Sequence, residues 1–128
     1  MEIIKGLLID PENQSITEVE ITPDPYEGGG ASHLESMYKH LKCDCVDLAR
    51  HLLEYLPSMP NDDVWVDDIG SWGNCPYMFM LPNYVPLIGR ALILGHDDFK
   101  GESISHTLTA EDIEALRRSI RWLKREIC

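Results

Sequence analysis

The sequence predicts an α+β fold: one small domain with a mixed or antiparallel sheet of about four to five strands, and two or three helices, the last of them long. Two patterns and one bound carry this. Between Gln14 and Thr22 apolar and polar residues alternate, directly after an apolar run over Ile3–Ile9, which is the two-residue repeat of paired strands. From Thr109 onward, Ile113, Leu116, Ile120, Leu123 and Ile127 recur at helical spacing. The chain has 128 residues, 44% of them hydrophobic and 26% charged, the size and mix of one globular domain spanning 1–128.

The first element is a β-hairpin over 3–22. Asp10-Pro11-Glu12-Asn13 supplies turn chemistry between its two runs. The first strand reads as buried on both faces. The second is half-exposed, with Thr17, Val19 and Ile21 on one side and Ile16, Glu18 and Glu20 on the other. Pro23 to Ser32 is a break containing Gly28-Gly29-Gly30. These glycines lack the spacing of a dinucleotide fingerprint and the Gly-Lys-Ser/Thr end of a P-loop, so they read as a loop, with Ser32 as the cap of the next helix.

A helical region follows over 32–56. Leu34, Met37, Tyr38 and Leu41 form one stripe, and Val46, Leu48, Ala49, Leu52, Leu53 and Leu56 fit a second helical stretch. A strand beginning at Cys43-Asp44-Cys45-Val46 is the alternative. Strands and loops occupy 64–108: a short strand at Val64-Trp65-Val66, another near Met78–Leu81, a buried central strand at Arg90–Gly95 and an edge strand at Ser103–Leu108. The C-terminal helix spans 109–127. Thr109 is its cap, and Asp112 at the third helical position makes a capping box.

Charge is the most unusual property of the chain. It carries 22 acidic against 11 basic residues, a net −11. Residues 1–116 hold −15 of this and residues 117–128 hold +4. An acidic chain lacks the basic field that releases counterions from phosphates, so direct nucleic-acid binding is not expected. No stretch is apolar for long enough to span a membrane, and the N-terminal residues lack a secretion signal, which points to the cytoplasm. The four cysteines, Cys43, Cys45, Cys75 and Cys128, then read as reduced thiols.

Three segments, LLIDPENQSITEVEI at 7–21, VWVDDIG at 64–70 and PLIGRALILGHDD at 86–98, stand in this order. Together they resemble the bacterial, phage and plasmid family grouped as domain of unknown function 3846 and its relatives. Ile69 departs from the family's pattern of Glu after the paired aspartates, and Gly70 keeps to it. The resemblance covers about half of the chain and leaves out the basic C-terminal segment. It implies a small protein of a mobile element and supplies no catalytic residues.

Three aspartate pairs, Asp62-Asp63, Asp67-Asp68 and Asp97-Asp98, flank predicted strands or turns. If the strands at 64–66 and 90–95 are neighbours, Asp67, Asp68, Asp97 and Asp98 converge in the manner of a Mg²⁺ or Ca²⁺ site. Otherwise they are turn formers that keep strand ends soluble. His40, Cys43 and Cys45 are weak zinc candidates, with Cys75, His51 or His33 as a fourth ligand, and they lack the Cys-x-x-Cys knuckle. Trp65, Trp72, Tyr77, Phe79 and Tyr84 crowd a loop-rich stretch, as either partner anchors or loop-covering core.

Arg117, Arg118, Arg121, Lys124 and Arg125 form a basic helix face, which either packs on the chain's own acidic body or stays free. The expected function is therefore non-enzymatic, with no cofactor. A small acidic protein of a phage or mobile element binds a host or partner protein through Asp62, Asp63, Trp65, Asp67, Asp68, Trp72, Asp97 and Asp98. Mimicry of nucleic acid, as in anti-restriction or anti-CRISPR proteins, is its sharpest form, because opposed fields steer encounters. Self-association is compatible with this reading. The alternative is a divalent-metal-dependent enzyme or small-ligand-binding protein that uses the aspartate pairs.

Overall fold

A computed structural model describes residues 3–24, 33–43, 45–67, 75–99 and 101–126. Their elements run β1 (Ile4–Asp10), β2 (Ser15–Ile21), α1 (Leu34–Leu41), β3 (Val46–Ala49), β4 (Asp63–Asp67), β5 (Tyr77–Met80), β6 (Leu87–Ile88), β7 (Ala91–Asp97), β8 (Glu102–Ile104), α2 (Ala110–Ser119) and β9 (Arg121–Lys124). This is a small α+β arrangement with two helices. The strands form two antiparallel sheets rather than one: β2-β1-β7-β4-β3 with β8 on the far end of β7, and β6-β5-β9.

Alternation along the strands sorts the core into two layers. Leu7 and Ile9 of β1, Val64 and Val66 of β4, and Ala91 and Ile93 of β7 point to one side of the large sheet. There they meet Phe79, Leu81, Leu116 and Ile120 from the small sheet and α2. Ile4, Leu8, Leu92 and Leu94 point to the other side and are covered by Met37 and Leu41 of α1. The central strands β1 and β7 are thus buried on both faces, which is why they read as nearly unbroken apolar runs.

The β1–β2 hairpin forms in the expected register, Ile4 opposite Ile21 and Asp10 opposite Ser15. Its turn is held by Asp10, whose Oδ1 accepts the backbone N–H groups of Glu12 at 3.1 Å and Asn13 at 3.4 Å, while Asn13 Nδ2 donates to Oδ2 at 2.7 Å. The capping box of α2 is also present: Thr109 Oγ1 accepts from Asp112 N at 3.2 Å and Asp112 Oδ2 accepts from Thr109 N at 3.0 Å.

A chain crossing marks the far end of β7. Ser105 and His106 bond Lys5 of β1, on one edge of β7, and Thr107 bonds Asp62, just before β4 on the other edge. The segment therefore passes over Gly95. A Cβ there would stand 2.6 Å from the Ser105 carbonyl oxygen, so only glycine fits.

Two expected helices are shorter than the sequence suggests. Within 46–56, residues 46–49 are strand β3, paired with β4 from Val46↔Asp67 to Ala49↔Val64. The chain then turns, and Leu52, Leu53 and Leu56 are buried without forming an α-helix. The helix expected over 109–127 ends at Ser119. Ile120 takes extended backbone angles, and Arg121–Lys124 become β9, paired with β5 with Trp122 opposite Phe79. In both places an otherwise unpaired strand edge recruits the segment, and cross-strand pairing outweighs helical periodicity. The edge strand expected at 103–108 is the three-residue β8, after which the crossing begins. Gly28-Gly29-Gly30 and Ser32 lie outside the described residues, and α1 starts instead after His33.

Candidate functional site

The aspartate pairs separate to opposite ends of the large sheet. The strands β4 and β7 are indeed neighbours, but they are antiparallel, with Asp63 opposite Leu94 and Val66 opposite Ala91. Asp67 therefore lies at the Ala91 end, and Asp97 and Asp98 at the other, so the convergence of Asp67 with Asp97 and Asp98 does not occur. Asp68 and Trp72 lie outside the described residues. No group of three or more metal-binding side chains forms among the described residues.

At the Asp63 end, Asp62 and Asp63 are nearly fully buried, at 1% and 2% exposure. The carboxylate of Asp62 accepts the backbone N–H (2.7 Å) and the hydroxyl of Thr107, holding the crossing segment to β4. Asp63 faces the other side of the sheet. Its Oδ2 is 3.3 Å from His96 Nδ1 and its Oδ1 is 3.6 Å from Arg50 Nε. The other ring nitrogen of His96, Nε2, lies 2.9 Å from Asp98 Oδ1 on the exposed turn. Neither Asp63 Oδ1 nor His96 Nδ1 makes a hydrogen bond, and the indole N–H of half-buried Trp65 on the same face is also unbonded. Burial pushes the Asp63 carboxyl above its ordinary range, and this outweighs the attraction of His96 and Arg50. Asp62 thus pins the crossing segment to the sheet end, Asp63 is buried beside it, and Asp98 remains on the surface.

The opposite end opens into a cleft of about 240 Å³. It lies where the β1–β2 turn, the C-terminus of α1, the end of β4, the start of β5 and the residues before β7 meet. Its walls are Asp10, Pro11 and Glu12; Leu41 and Lys42; Asp67; Cys75 and Tyr77; and Gly89 and Arg90. Arg90 organises it. Its Nη2 lies 3.2 Å from Asp10 Oδ2 and its Nη1 donates to the His40 carbonyl at 3.1 Å, on the last turn of α1. A cation there complements the negative end of the helix dipole. Burial raises the Asp10 carboxyl, but the hydrogen bonds of Asn13 and Glu12 and the charge of Arg90 together take it below the usual carboxylate range. Gly89 adopts φ +78° and donates its N–H to the Tyr77 carbonyl, which turns Arg90 toward Asp10.

The zinc candidates do not assemble. His40 Nε2 donates to the Glu20 carbonyl at 3.0 Å, Cys43 is half-buried against the α1 core layer, and Cys45 is exposed. Cys75 donates from Sγ to the Tyr77 carbonyl, and His51 pairs with Glu54. Cys43, Cys45 and Cys75 are not joined in disulfides, while Cys128 lies outside the described residues.

Nor do the five C-terminal basic residues share one helix face, because the helix ends between Arg118 and Arg121. Arg117 donates to the Ile16 carbonyl, Arg125 Nε donates to the Cys75 carbonyl, and Lys124 Nζ sits 5.5 Å from the centre of the Tyr77 ring. Among the aromatic residues, Phe79 is core, Tyr77 walls the cleft and Tyr84 is exposed.

Sequence reasoning missed Asp10 and Arg90 as a pair. The available signal was a lone arginine at the head of an otherwise apolar strand, a position that demands a partner once both faces are covered. Comparison of the chain with protein-family models, with curated proteins and with solved structures returns no match.

Proposed function

We propose that this chain is a non-enzymatic binding protein of a phage or other mobile element, and that it engages a basic host or partner protein. One observation supports it above the others. The chain carries 22 acidic against 11 basic residues, a net −11. An acidic excess of this size acts outward as a field that steers a basic partner. Its exposed carriers include Glu12, Glu18, Glu20, Asp47, Glu54 and Asp98, whereas Asp10, Asp62, Asp63 and Asp112 serve the fold. Asp67 lines the cleft.

The sharper form of the reading is mimicry of nucleic acid. Affinity capture from host lysate at low and high salt tests the general form, and competition by duplex DNA or RNA tests the sharper one. A single stoichiometric basic partner, released by salt, is the expected result. Displacement by nucleic acid marks mimicry. The absence of any partner at both salts overturns the reading.

A further inference from the structure

We infer that the outer edge of β9 takes one further strand: an extended acidic segment of another protein, in which two apolar residues stand between two carboxylates. This surface is separate from the acidic carriers named above and does not rest on that reading.

The backbone sets the direction. The Arg125 N–H donates to the Pro76 carbonyl at 2.8 Å, so Pro76 and Arg125 form a hydrogen-bonded pair. Bonded and non-bonded pairs alternate along an antiparallel ladder. Met78–Leu123 and Met80–Arg121 are then the next bonded pairs, and Tyr77–Lys124 and Phe79–Trp122 are not. The N–H and C=O groups of Trp122 and Lys124 therefore point away from β5. The Tyr77 carbonyl agrees, since it turns to the other side and accepts from Gly89. β9 ends the order β6-β5-β9, and among the described residues nothing bonds the outward groups of Trp122 and Lys124.

The edges of the large sheet are blunted by their own side chains. On β2 the Ile16 and Glu20 carbonyls accept from Arg117 and His40, and the N–H of Thr22, just past the strand, donates to Ser36. On β3 the Leu48 N–H is taken by the Asp47 carboxylate. β9 has no counterpart of these among the described residues.

The side chains name the guest. β9 is Arg121-Trp122-Leu123-Lys124, a cation at each end of two apolar residues. Arg121 and Lys124 are exposed, and neither forms an ion pair with a described carboxylate. A second β9 laid alongside would set the cations of one copy against those of the other, which disfavours self-pairing. A Glu-apolar-apolar-Glu run instead meets both cations with carboxylates and meets Trp122 and Leu123 with apolar groups. That pattern is the same in either strand direction. On the outer face Leu123 continues a row with Met78 and Ile88, which are half-buried and belong to neither core layer. An added strand lengthens this row. The net −11 of the chain opposes an acidic guest at long range. At physiological ionic strength, however, exposed charges more than about 8 Å apart are largely screened, so the cations at the edge decide.

The test titrates the isotopically labelled full chain with an acetylated and amidated peptide, Thr-Glu-Val-Val-Glu-Thr, and follows amide shifts by NMR. Saturable shifts are expected at Trp122 and Lys124, whose N–H groups gain acceptors. Smaller ones are expected at Arg121 and Leu123, whose N–H groups already bond β5. Arg121→Gln and, separately, Lys124→Gln should each weaken the peptide about twofold to fivefold, the size of one cross-strand charge pair. Both positions are exposed, so the variants stay folded. The same peptide with Lys in place of Glu should leave the β9 amides unmoved. Methylating alternate peptide amides should abolish binding for one set and spare it for the other, because only one set faces β9; charge attraction alone would not tell them apart. Unmoved Trp122 and Lys124 amides, equal binding of the Lys peptide, or equal tolerance of both methylated sets each overturn the added strand. So does movement of those amides with protein concentration alone, which marks a second copy, or with duplex DNA in preference to the peptide, which marks a nucleic-acid surface.

Discussion

Replacing Asp112 with alanine removes a carboxylate that accepts three hydrogen bonds. It is fully buried. It accepts the Thr109 backbone N–H at 3.0 Å, closing the capping box, and the Ser58 N–H at 2.9 Å together with the Ser58 hydroxyl, tying the 51–58 turns to the start of α2. Loss of a helix cap costs about 1 kcal/mol. Hydrogen bonds to a charged acceptor contribute about 1.5–3 kcal/mol, and Ser58 is exposed enough for water to recover part of that, which leaves about 1–2 kcal/mol. The total is about 2–3 kcal/mol. With an unfolding entropy of about 2.1 cal/mol/K per residue, a chain of this length loses about 4 °C in Tm per kcal/mol, so the expected drop is about 8–12 °C.

The effect also has a pH signature. Burial raises the Asp112 carboxyl, but the bonds from Ser58 and Thr109 outweigh it and hold the folded pKa below the unfolded value. The stabilisation is therefore full above the unfolded carboxylate range, near pH 4, and is lost as pH falls through the folded pKa. Thermal melts by circular dichroism at pH 7 and pH 3 should show a wide gap between wild type and Asp112→Ala at pH 7 and a narrower one at pH 3. A drop under about 3 °C at pH 7, on the scale of about 4 °C per kcal/mol, would refute the clamp. A gap of equal size at both pH values would refute the linkage.

Other substitutions separate further features. Asp63 drifts the opposite way: its folded pKa is raised, so its contribution is fully present below about pH 4 and lost as pH rises through the folded value. Asp63→Asn should thus gain stability relative to wild type between pH 4 and pH 7 in urea titrations, and a relative loss over that range contradicts the burial account. Gly95→Ala drives a methyl group into the Ser105 backbone and should cost about 3 kcal/mol, the upper end for overpacking. Gly6→Ala meets mainly the ends of the Leu92 and Leu94 side chains, which can shift, and should cost about 1 kcal/mol. Equal urea midpoints for the two variants would remove the chain crossing as an explanation. Arg90→Ala strips the buried Asp10 carboxylate of its cation and should cost about 2–3 kcal/mol, somewhat under a fully buried pair, measured by denaturant unfolding. An unchanged midpoint would show that Asn13 and Glu12 suffice for Asp10.

The elements legible in the sequence are those whose pattern admits one repeat. Residues 14–22 alternate too regularly to be helical and follow an apolar run and an Asp-Pro turn, and 91–95 is apolar at every position. Thr109 with Asp112 announces a helix start by local chemistry alone. Residues 46–49 and 120–124 are different. Val46 and Leu48, or Ile120 and Trp122, satisfy a strand repeat, while Leu52, Leu116 and Leu123 extend the same stretches into a helical one. What decides between them is the open edge of β4 in one case and of β5 in the other, and neither lies nearby in the sequence. The candidate site was legible in kind but not in place. Acidic pairs at strand ends were visible, yet which ends meet depends on strand direction, and Asp10 and Arg90 are 80 positions apart.

The pairing of β5 with β9 has a bearing on synthesis. Phe79 waits for Trp122, and the small sheet that covers one face of the core cannot close until residues 121–124 have left the ribosome. Until then Leu7, Ile9, Val64 and Ile93 have lost one of their two covers and present an adhesive surface. A nascent chain stalled before residue 121 is accordingly a chaperone client, and premature stop codons in α2 should yield insoluble product rather than a shortened active protein.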